Sequence, residues 1–255
     1  MDLGIKDKTI LVTGGSKGIG RAICRAFLAE GARVGFCARN PDQIAATEAE
    51  LDSLGTITGT SLDVSDSTAV ADWVAAMAAK YGGIDSVVAN ASALSIGVAT
   101  ENWKSGYDID LMGTQNLVNA ATLALVEAAQ RHGDASFTMI TSTAAAEAPF
   151  ANAYGAIKAA MIHLTKGLAR QHAAQGVRFN SVSPGTVYSD GGTWGQIEKV
   201  MPDLFKQTLA RNPTGRMATP EDVASAVVFL SCPRSSFTTG INMLIDGALT
   251  QRVNY

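Results

Sequence analysis

The stretch Thr9-Ile10-Leu11-Val12-Thr13-Gly14-Gly15-Ser16-Lys17-Gly18-Ile19-Gly20-Arg21-Ala22-Ile23 reads as three pieces of local structure in immediate succession. Its first part is short, apolar and rich in β-branched residues, the pattern of a buried strand. Glycines at 14, 15, 18 and 20 then permit a tight turn, and an amphipathic helical pattern follows at once. Such a strand, turn and helix let backbone approach a bound group closely and aim the unpaired N–H groups of the helix N-terminus at it. That arrangement suits a pyrophosphate. The same residues spell Gly14-x-Ser16-x-Gly18, the sharp turn that carries the nucleophile of serine hydrolases, but that chemistry requires a histidine late in the chain, after the triad acid. The last histidine is His172 and Ser16 follows the first strand, so nucleotide binding is the reading kept.

Outward from this stretch, β-branched runs alternate with longer helical patterns. Strands are predicted near Thr9–Val12, Arg33–Cys37, Thr58–Leu62, Ser86–Ala89, Phe137–Thr141, Arg178–Val182 and Met243–Ile245. Helices are predicted near Gly18–Glu30, Asp42–Leu54, Ser67–Lys80, Asn102–Arg131, Asn152–Ala174 and Pro220–Leu230. Alternation of this kind specifies an α/β fold with a parallel sheet and helices on both faces. No repeat, low-complexity block or linker divides the 255 residues, so residues 1–255 are expected to form one domain. The longest irregular region runs from Pro184 to Asn212, and a stretch of that length is read as a functional flap, covering substrate over about 186–212.

Composition narrows the classes of function. The chain is 47% hydrophobic with a net charge of −3, and its basic residues are scattered, which speaks against a nucleic-acid or anionic-membrane surface. No apolar run reaches the length of a membrane span and the start has no signal-peptide pattern, so a cytoplasmic protein with small-molecule partners is expected. Cys24, Cys37 and Cys232 lack metal or disulfide spacing, and His132, His163 and His172 form no ligand pair. No metal is expected.

The second strand ends Phe36-Cys37-Ala38-Arg39-Asn40. An acidic residue here would hold the ribose 2′-hydroxyl of NAD and repel a 2′-phosphate, whereas an arginine accommodates that phosphate. With Arg39 at this place and Lys17 in the glycine turn, NADP(H) is the preferred coenzyme and NAD(H) the alternative.

Further on, Tyr154-Gly155-Ala156-Ile157-Lys158 puts a phenol and an ammonium one helical turn apart on one face. A phenol titrates near pH 10, and a fixed cation beside it favours its phenolate form. Such a group can give a proton to a carbonyl oxygen or remove one from an alcohol. Alone, a helical Tyr and Lys at this spacing are usually only a packing or surface pair.

Taken together, Thr13-Gly14-x-x-x-Gly18-x-Gly20, Tyr154-x-x-x-Lys158, the upstream Ser142 and Pro184-Gly185 resemble the short-chain dehydrogenase/reductase family, in particular its 3-oxoacyl-(acyl-carrier-protein) reductases. The resemblance covers the whole chain. It implies a single-domain, Rossmann-type, doubly wound sheet of seven parallel strands in the order 3-2-1-4-5-6-7, a nicotinamide coenzyme and a homo-oligomer, either tetramer or dimer. It implies that Gly14, Ser16, Lys17, Gly18, Ile19 and Gly20 bind the pyrophosphate and that Asp63 and Val64 meet the adenine. It further implies that Asn90 and Ala91 line the coenzyme, and that Pro184, Gly185, Thr186, Val187 and Ser189 hold the carboxamide. Asn180 also fits the pattern. Ser142, Tyr154 and Lys158 are the implied catalytic residues, Lys158 also binding the nicotinamide ribose.

The departures are specific. Ala89 and Ser92 replace an Asn and a Gly of the family's Asn-Asn-Ala-Gly segment, so that ribbon must be held in another way. Asp110 falls where the family's catalytic tetrad has Asn; it is either a member of the catalytic set or a hydrogen-bonded helix residue. Ser142 precedes Tyr154 by twelve residues, one fewer than is common, leaving Thr141 and Thr143 as alternates. Ala93, Leu94, Ala144, Phe150, Tyr188, Trp194 and Phe205 are candidate pocket residues and suggest a largely apolar ketone or alcohol. The competing expectation is a catalytically weak, dinucleotide-binding regulatory or scaffold protein, for which Ser142, Tyr154 and Lys158 together would serve no purpose.

Overall fold

A computed structural model of the chain describes residues 2–253. Seven strands, β1 (Thr9–Thr13), β2 (Arg33–Ala38), β3 (Ile57–Ser61), β4 (Ser86–Ala89), β5 (Ala135–Ile140), β6 (Val177–Pro184) and β7 (Asn242–Ile245), form one sheet in the order β3-β2-β1-β4-β5-β6-β7. Every pairing is parallel. The connecting helices are α1 (Gly18–Ala29), α2 (Pro41–Leu51), α3 (Ser67–Tyr81), α4 (Thr100–Ser105), α5 (Gly113–His132), α6 (Ala153–His172), α7 (Thr193–Val200), α8 (Pro202–Ala210) and α9 (Pro220–Ser231). The expected fold and strand order are both present. No helix among the described residues is long and apolar enough to cross a membrane.

Parallel strands covered on both faces read as continuous apolar runs because neither side meets water. All five residues of β1 are buried, and its side chains divide between two cores. Leu11 joins Val87, Phe137 and Phe179 beneath α3 and α5 on one face; Ile10 and Val12 join Val34, Phe36 and Val182 beneath α1 and α9 on the other. Phe137 and Phe179 are register partners across β5 and β6, with ring centroids 5.3 Å apart. Stacking of that kind adds about 0.5–1.5 kcal/mol beyond the area it buries.

Helix starts follow short-range chemistry. Asp66 accepts from the N–H groups of Thr68 and Ala69 at the start of α3, and Asn152 accepts from Gly155 N–H at the start of α6. At α9, Thr219 and Asp222 cap one another's backbone reciprocally, with Pro220 in the first turn.

Three expectations are corrected. Residues 184–212 are not irregular throughout, because α7 and α8 lie within them; each is only two or three turns long, too short for the periodicity to declare itself. The long helix expected over Asn102–Arg131 begins at Thr100 and is interrupted over Gly106–Met112 by wider π turns, where Gly113 N–H reaches Asp108 O five residues back. Helices α2 and α6 end at Leu51 and His172, each tightening into a single 3₁₀ turn.

Because all strands run the same way, every loop that follows a strand opens on one edge of the sheet. Order reverses between β1 and β4, and the crevice at such a reversal is where open α/β sheets hold ligands.

Candidate active site

The glycine turn lies at that reversal. Gly14 and Gly18 have φ of +68° and +52°, and a Cβ on Gly20 would sit 2.1 Å from the Gly14 carbonyl oxygen. A side chain at 20 is therefore excluded by backbone, whereas a Cβ on Gly18 would meet nothing within 4 Å, since that position faces open space. Helix α1 starts at Gly18 with Lys17 before it and no side chain capping its first N–H groups. Free donors beside an open, glycine-lined surface fit a pyrophosphate. Ile19 is half-buried, Lys17 is exposed, and Ser16 is buried, its hydroxyl within 3.4 Å of Gln43 Oε1.

Arg39 is exposed at the carboxyl end of β2, beside the start of α2. Asp63 bends back to accept from Ser65 N–H at 2.9 Å and from Ser65 Oγ at 2.8 Å. Those bonds, the backbone one foremost, and the charge of Arg39 hold the Asp63 carboxyl below the usual carboxylate range, against an opposing contribution from burial. Val64 is buried against the start of α5, where a Cβ on Gly113 would meet its side chain at 2.7 Å, and its carbonyl accepts from Asn116 Nδ2.

The ribbon after β4 is held by Thr13 and Asp110. Thr13 Oγ1 accepts from Asn90 N–H at 3.0 Å and Ala91 N–H at 3.1 Å, while Asn90 Nδ2 donates to the carbonyls of Thr13 and Gly14. Beyond Ala91, Ser92 Oγ lies 2.5 Å from Asp110 Oδ1 and Ala93 N–H donates to Asp110 Oδ2 at 2.8 Å. The π turns of 106–112 carry Asp110, which is 1% exposed, and its carboxylate forms an ion pair with Lys158 Nζ at 3.0 Å.

Among the described residues, Lys158, 2% exposed, has two partners at 3.0 Å, an ion pair with Asp110 Oδ1 and a hydrogen bond to the Ile140 carbonyl. An ammonium carries three donors, so at least one is not used by these partners. Its Nζ lies 5.6 Å from the centroid of the half-buried Tyr154 ring. A Cβ on Gly155 would meet the Ala144 carbonyl oxygen at 2.5 Å, so glycine there lets α6 close onto the turn that Ser142 begins. The Ser142 hydroxyl accepts from Ala144 N–H at 3.2 Å and keeps its own proton to donate. Of the alternates, Thr141 is committed to the core, with its Oγ1 2.7 Å from Ser183 Oγ and 3.0 Å from the Val182 carbonyl; Thr143 is half-buried in the same turn.

The loop after β6 is pinned by parallel bridging of Val187 to Ala218, and a Cβ on Gly185 would meet Asp246 at 2.9 Å. Thr186 Oγ1, in this loop, is buried with no hydrogen-bond partner among the described residues. An orphaned hydroxyl costs free energy unless something pairs with it, which fits the carboxamide of a nicotinamide at this place. Pro184 is buried at the end of β6 and Ser189 is half-buried beside Gly192. Asn180, by contrast, is structural, joining Thr238 O and Ile241 N–H across the approach to β7.

Tyr188 is the other phenol here. It donates to Glu198 Oε2 at 2.6 Å and Asp190 Oδ1 at 3.2 Å, and the Glu198 hydrogen bond leads the causes that push its titration up to about 12. Its edge-on ring contact with Phe205, at 5.9 Å, ties the loop to α8. Trp194 is half-buried, whereas Leu94 and Phe150 are more than half exposed.

Sequence reasoning missed two anchoring roles. Thr13 appeared only as part of the glycine motif, yet its hydroxyl pins the β4 ribbon. Ser92 appeared only as a missing glycine, yet it binds Asp110; the near-coincidence of two departures, one at 92 and one at 110, was the available signal.

The geometry agrees with what the chain resembles. A family model described as enoyl-(acyl carrier protein) reductase matches residues 14–250. Isoepoxydon dehydrogenase patN of Penicillium expansum is 36% identical over 254 residues, 96% of either chain. The 3-oxoacyl-[acyl-carrier-protein] reductase FabG of Chlamydia pneumoniae is 32% identical, covering 98% of this chain and all of its own. Among solved structures, a short-chain type dehydrogenase/reductase from Mycobacterium ulcerans superposes with a TM-score of 0.88 at 31% identity, over 96% of this chain and 90% of its own. L-Sorbose reductase from Gluconobacter frateurii, complexed with NADPH and L-sorbose, does so with a TM-score of 0.89 at 25% identity, over 99% of this chain and all of its own.

Proposed function

The chain belongs to the short-chain dehydrogenase/reductase family, whose members bind nicotinamide dinucleotides and act on alcohol and carbonyl groups, and we propose that it is an NADP(H)-dependent member acting on a small, largely apolar ketone or secondary alcohol. The observation that carries this reading is the buried Lys158 ammonium beside the half-buried Tyr154 ring, at the sheet edge where the glycine turn and an uncapped helix also open.

The nicotinamide, when bound, supplies or accepts the hydride. The chain does the rest. Ser142 donates a hydrogen bond to the substrate oxygen and orients the carbon that reacts. Tyr154 Oη gives its proton to that oxygen during reduction and takes it back during oxidation. Lys158 keeps a positive charge beside the phenol and uses its remaining donor on the ribose hydroxyls. Asp110 holds Lys158 in place. Tyr188 has a different part, because its hydroxyl already donates to Glu198 Oε2 at 2.6 Å.

Coenzyme choice rests on Arg39 and Lys17, exposed where a 2′-phosphate would lie, with no acidic residue at the end of β2 to favour a free ribose. The L-sorbose reductase complex holds NADPH in the same fold. The segment of α7 and α8, where Trp194 and Phe205 are half-buried, is the proposed apolar cover for the substrate, and Leu94 and Phe150, more than half exposed, are the other candidates for it. The test is NADPH and NADH oxidation across a panel of ketones and diketones. Turnover with NADPH above NADH on at least one ketone supports the reading; coenzyme binding without turnover on any member overturns it in favour of a binding protein.

A further inference from the structure

The Asp110 carboxylate is surrounded by donors. Its Oδ1 faces both the Ser92 hydroxyl at 2.5 Å and the Lys158 ammonium at 3.0 Å, and its Oδ2 faces Ala93 N–H at 2.8 Å. Ser92 cannot readily turn round, because its oxygen accepts from Leu94 N–H at 3.1 Å, which leaves its proton directed to Asp110. Leu94 itself holds a left-handed backbone, φ +49°, unusual for a side chain of its size.

An amide at 110 would not satisfy this donor set. With its oxygen towards Ser92 and Lys158, its NH₂ would face Ala93 N–H; reversed, the NH₂ would face a hydroxyl proton and an ammonium. Either way, donors oppose one another in a nearly dry place, where an unmet polar group is costly. Two acceptor oxygens are required, and only a carboxylate supplies them. The serine at 92 and the aspartate at 110 therefore form one device, although eighteen residues separate them.

We infer that Ser92 is a positioning residue: with Ala93 N–H it fixes the Asp110 carboxylate, which in turn holds the Lys158 ammonium beside Tyr154. Two links of this chain lie within 3.0 Å and the third is the 5.6 Å approach of Lys158 Nζ to the Tyr154 ring. Ser92 is half-buried and touches Asp110 rather than Lys158 or Tyr154, so it acts through its neighbour. The consequence for turnover rests on the function proposed above; the consequence for Lys158 does not.

The experiment is a mutant cycle with two readouts. Ser92→Ala, Ser92→Gly, Ser92→Thr, Asp110→Asn and the double variant Ser92→Ala/Asp110→Asn are compared for kcat on a ketone that the wild type reduces. The Lys158 ammonium is followed in ¹⁵N-lysine-labelled protein by the exchange rate of its Nζ hydrogens. Loss of one hydrogen bond to a charged group corresponds to about a tenfold effect. Ser92→Ala and Ser92→Gly are expected to lower kcat about tenfold and to speed Nζ exchange, Ser92→Thr to restore both, and the alanine effect to vanish once Asp110 is Asn. Unchanged Nζ exchange in Ser92→Ala and Ser92→Gly overturns the inference whether or not any ketone is turned over. An alanine effect of undiminished size in the Asp110→Asn background also overturns it, since the two residues would then act independently. Absence of wild-type turnover defeats the proposed function alone, and Nζ exchange still decides the role of Ser92. The glycine variant keeps the test open if alanine at 92 disturbs folding.

Discussion

Two buried cations sit near opposite edges of the same sheet, and they are used differently. Arg178, at the start of β6, spends its guanidinium on protein: Nε and Nη2 on Asp134 at 2.6 and 3.0 Å, Nη1 on Leu230 O and Ser235 Oγ at 2.6 and 2.9 Å, and Nη2 again on Cys232 O at 3.2 Å. Lys158, at the edge where the strands end, has among the described residues two partners for three donors. A saturated buried cation fastens elements together; here Arg178 ties β6 to the loop before β5 and to the end of α9. Under the proposed function, the unsaturated one keeps a donor for a ligand. Burial is common to both cations, and the count of unspent donors is what separates them.

The sharpest way to break this contrast is to replace both cations with methionine. Lys158→Met is expected to lower turnover by 10²–10⁴-fold, the range attached to assisted proton transfer, while Asp110 keeps its two donors from Ser92 and Ala93. Breaking a buried pair by removing one partner costs about 3–5 kcal/mol in either variant, but Arg178→Met also strands the carbonyls of Leu230 and Cys232. Urea unfolding of the two variants beside their rates checks both halves: Arg178→Met should be the less stable protein and Lys158→Met the less active one. The reverse ranking breaks the comparison.

A smaller effect sharpens it at the coenzyme. Arg39→Asp should weaken NADPH by about 10–100-fold, the worth of a hydrogen bond between charged groups, and leave NADH within a fewfold. Equal losses for both coenzymes in a binding titration would show that Arg39 has no part in choosing between them. The smallest effect belongs to a purely structural pair. Asp222, capping α9 and paired with Arg216, has its carboxyl held below the usual range, first by the Arg216 side chain and then by Thr219 N–H. The stability it contributes is present above the unfolded carboxylate pKa of about 3.9 and fades as pH falls through its lower folded value. Asp222→Asn should therefore cost no more than about 1 kcal/mol at pH 7, the worth of an exposed ion pair, and approach the wild type in thermal melts below pH 4.

How much of this was legible depended on sequence distance. The glycine turn and the Tyr154–Lys158 pair follow from residues within one or two turns of each other, and the strand order from the family resemblance that those residues carry. The π turns around Asp110 were not legible, because nothing in the Tyr107-Asp108-Ile109-Asp110 pattern departs from a regular helix. Their visible correlate is the ion pair to Lys158, forty-eight residues away. Helices α7 and α8 hid for a different reason, being too short to show a period and joined at Met201 without a polar cap. Ser92 and Thr13 gained their roles only when β1, β4 and the π turns met.

The proposed proton transfer by Tyr154 is tested by Tyr154→Phe, measured for NADPH affinity and for single-turnover reduction of a ketone accepted by the wild type. Affinity is expected within about threefold of wild type and reduction slowed by at least about 10²-fold, since the ring remains and only the transferable proton is gone. Reduction at the wild-type rate would contradict it.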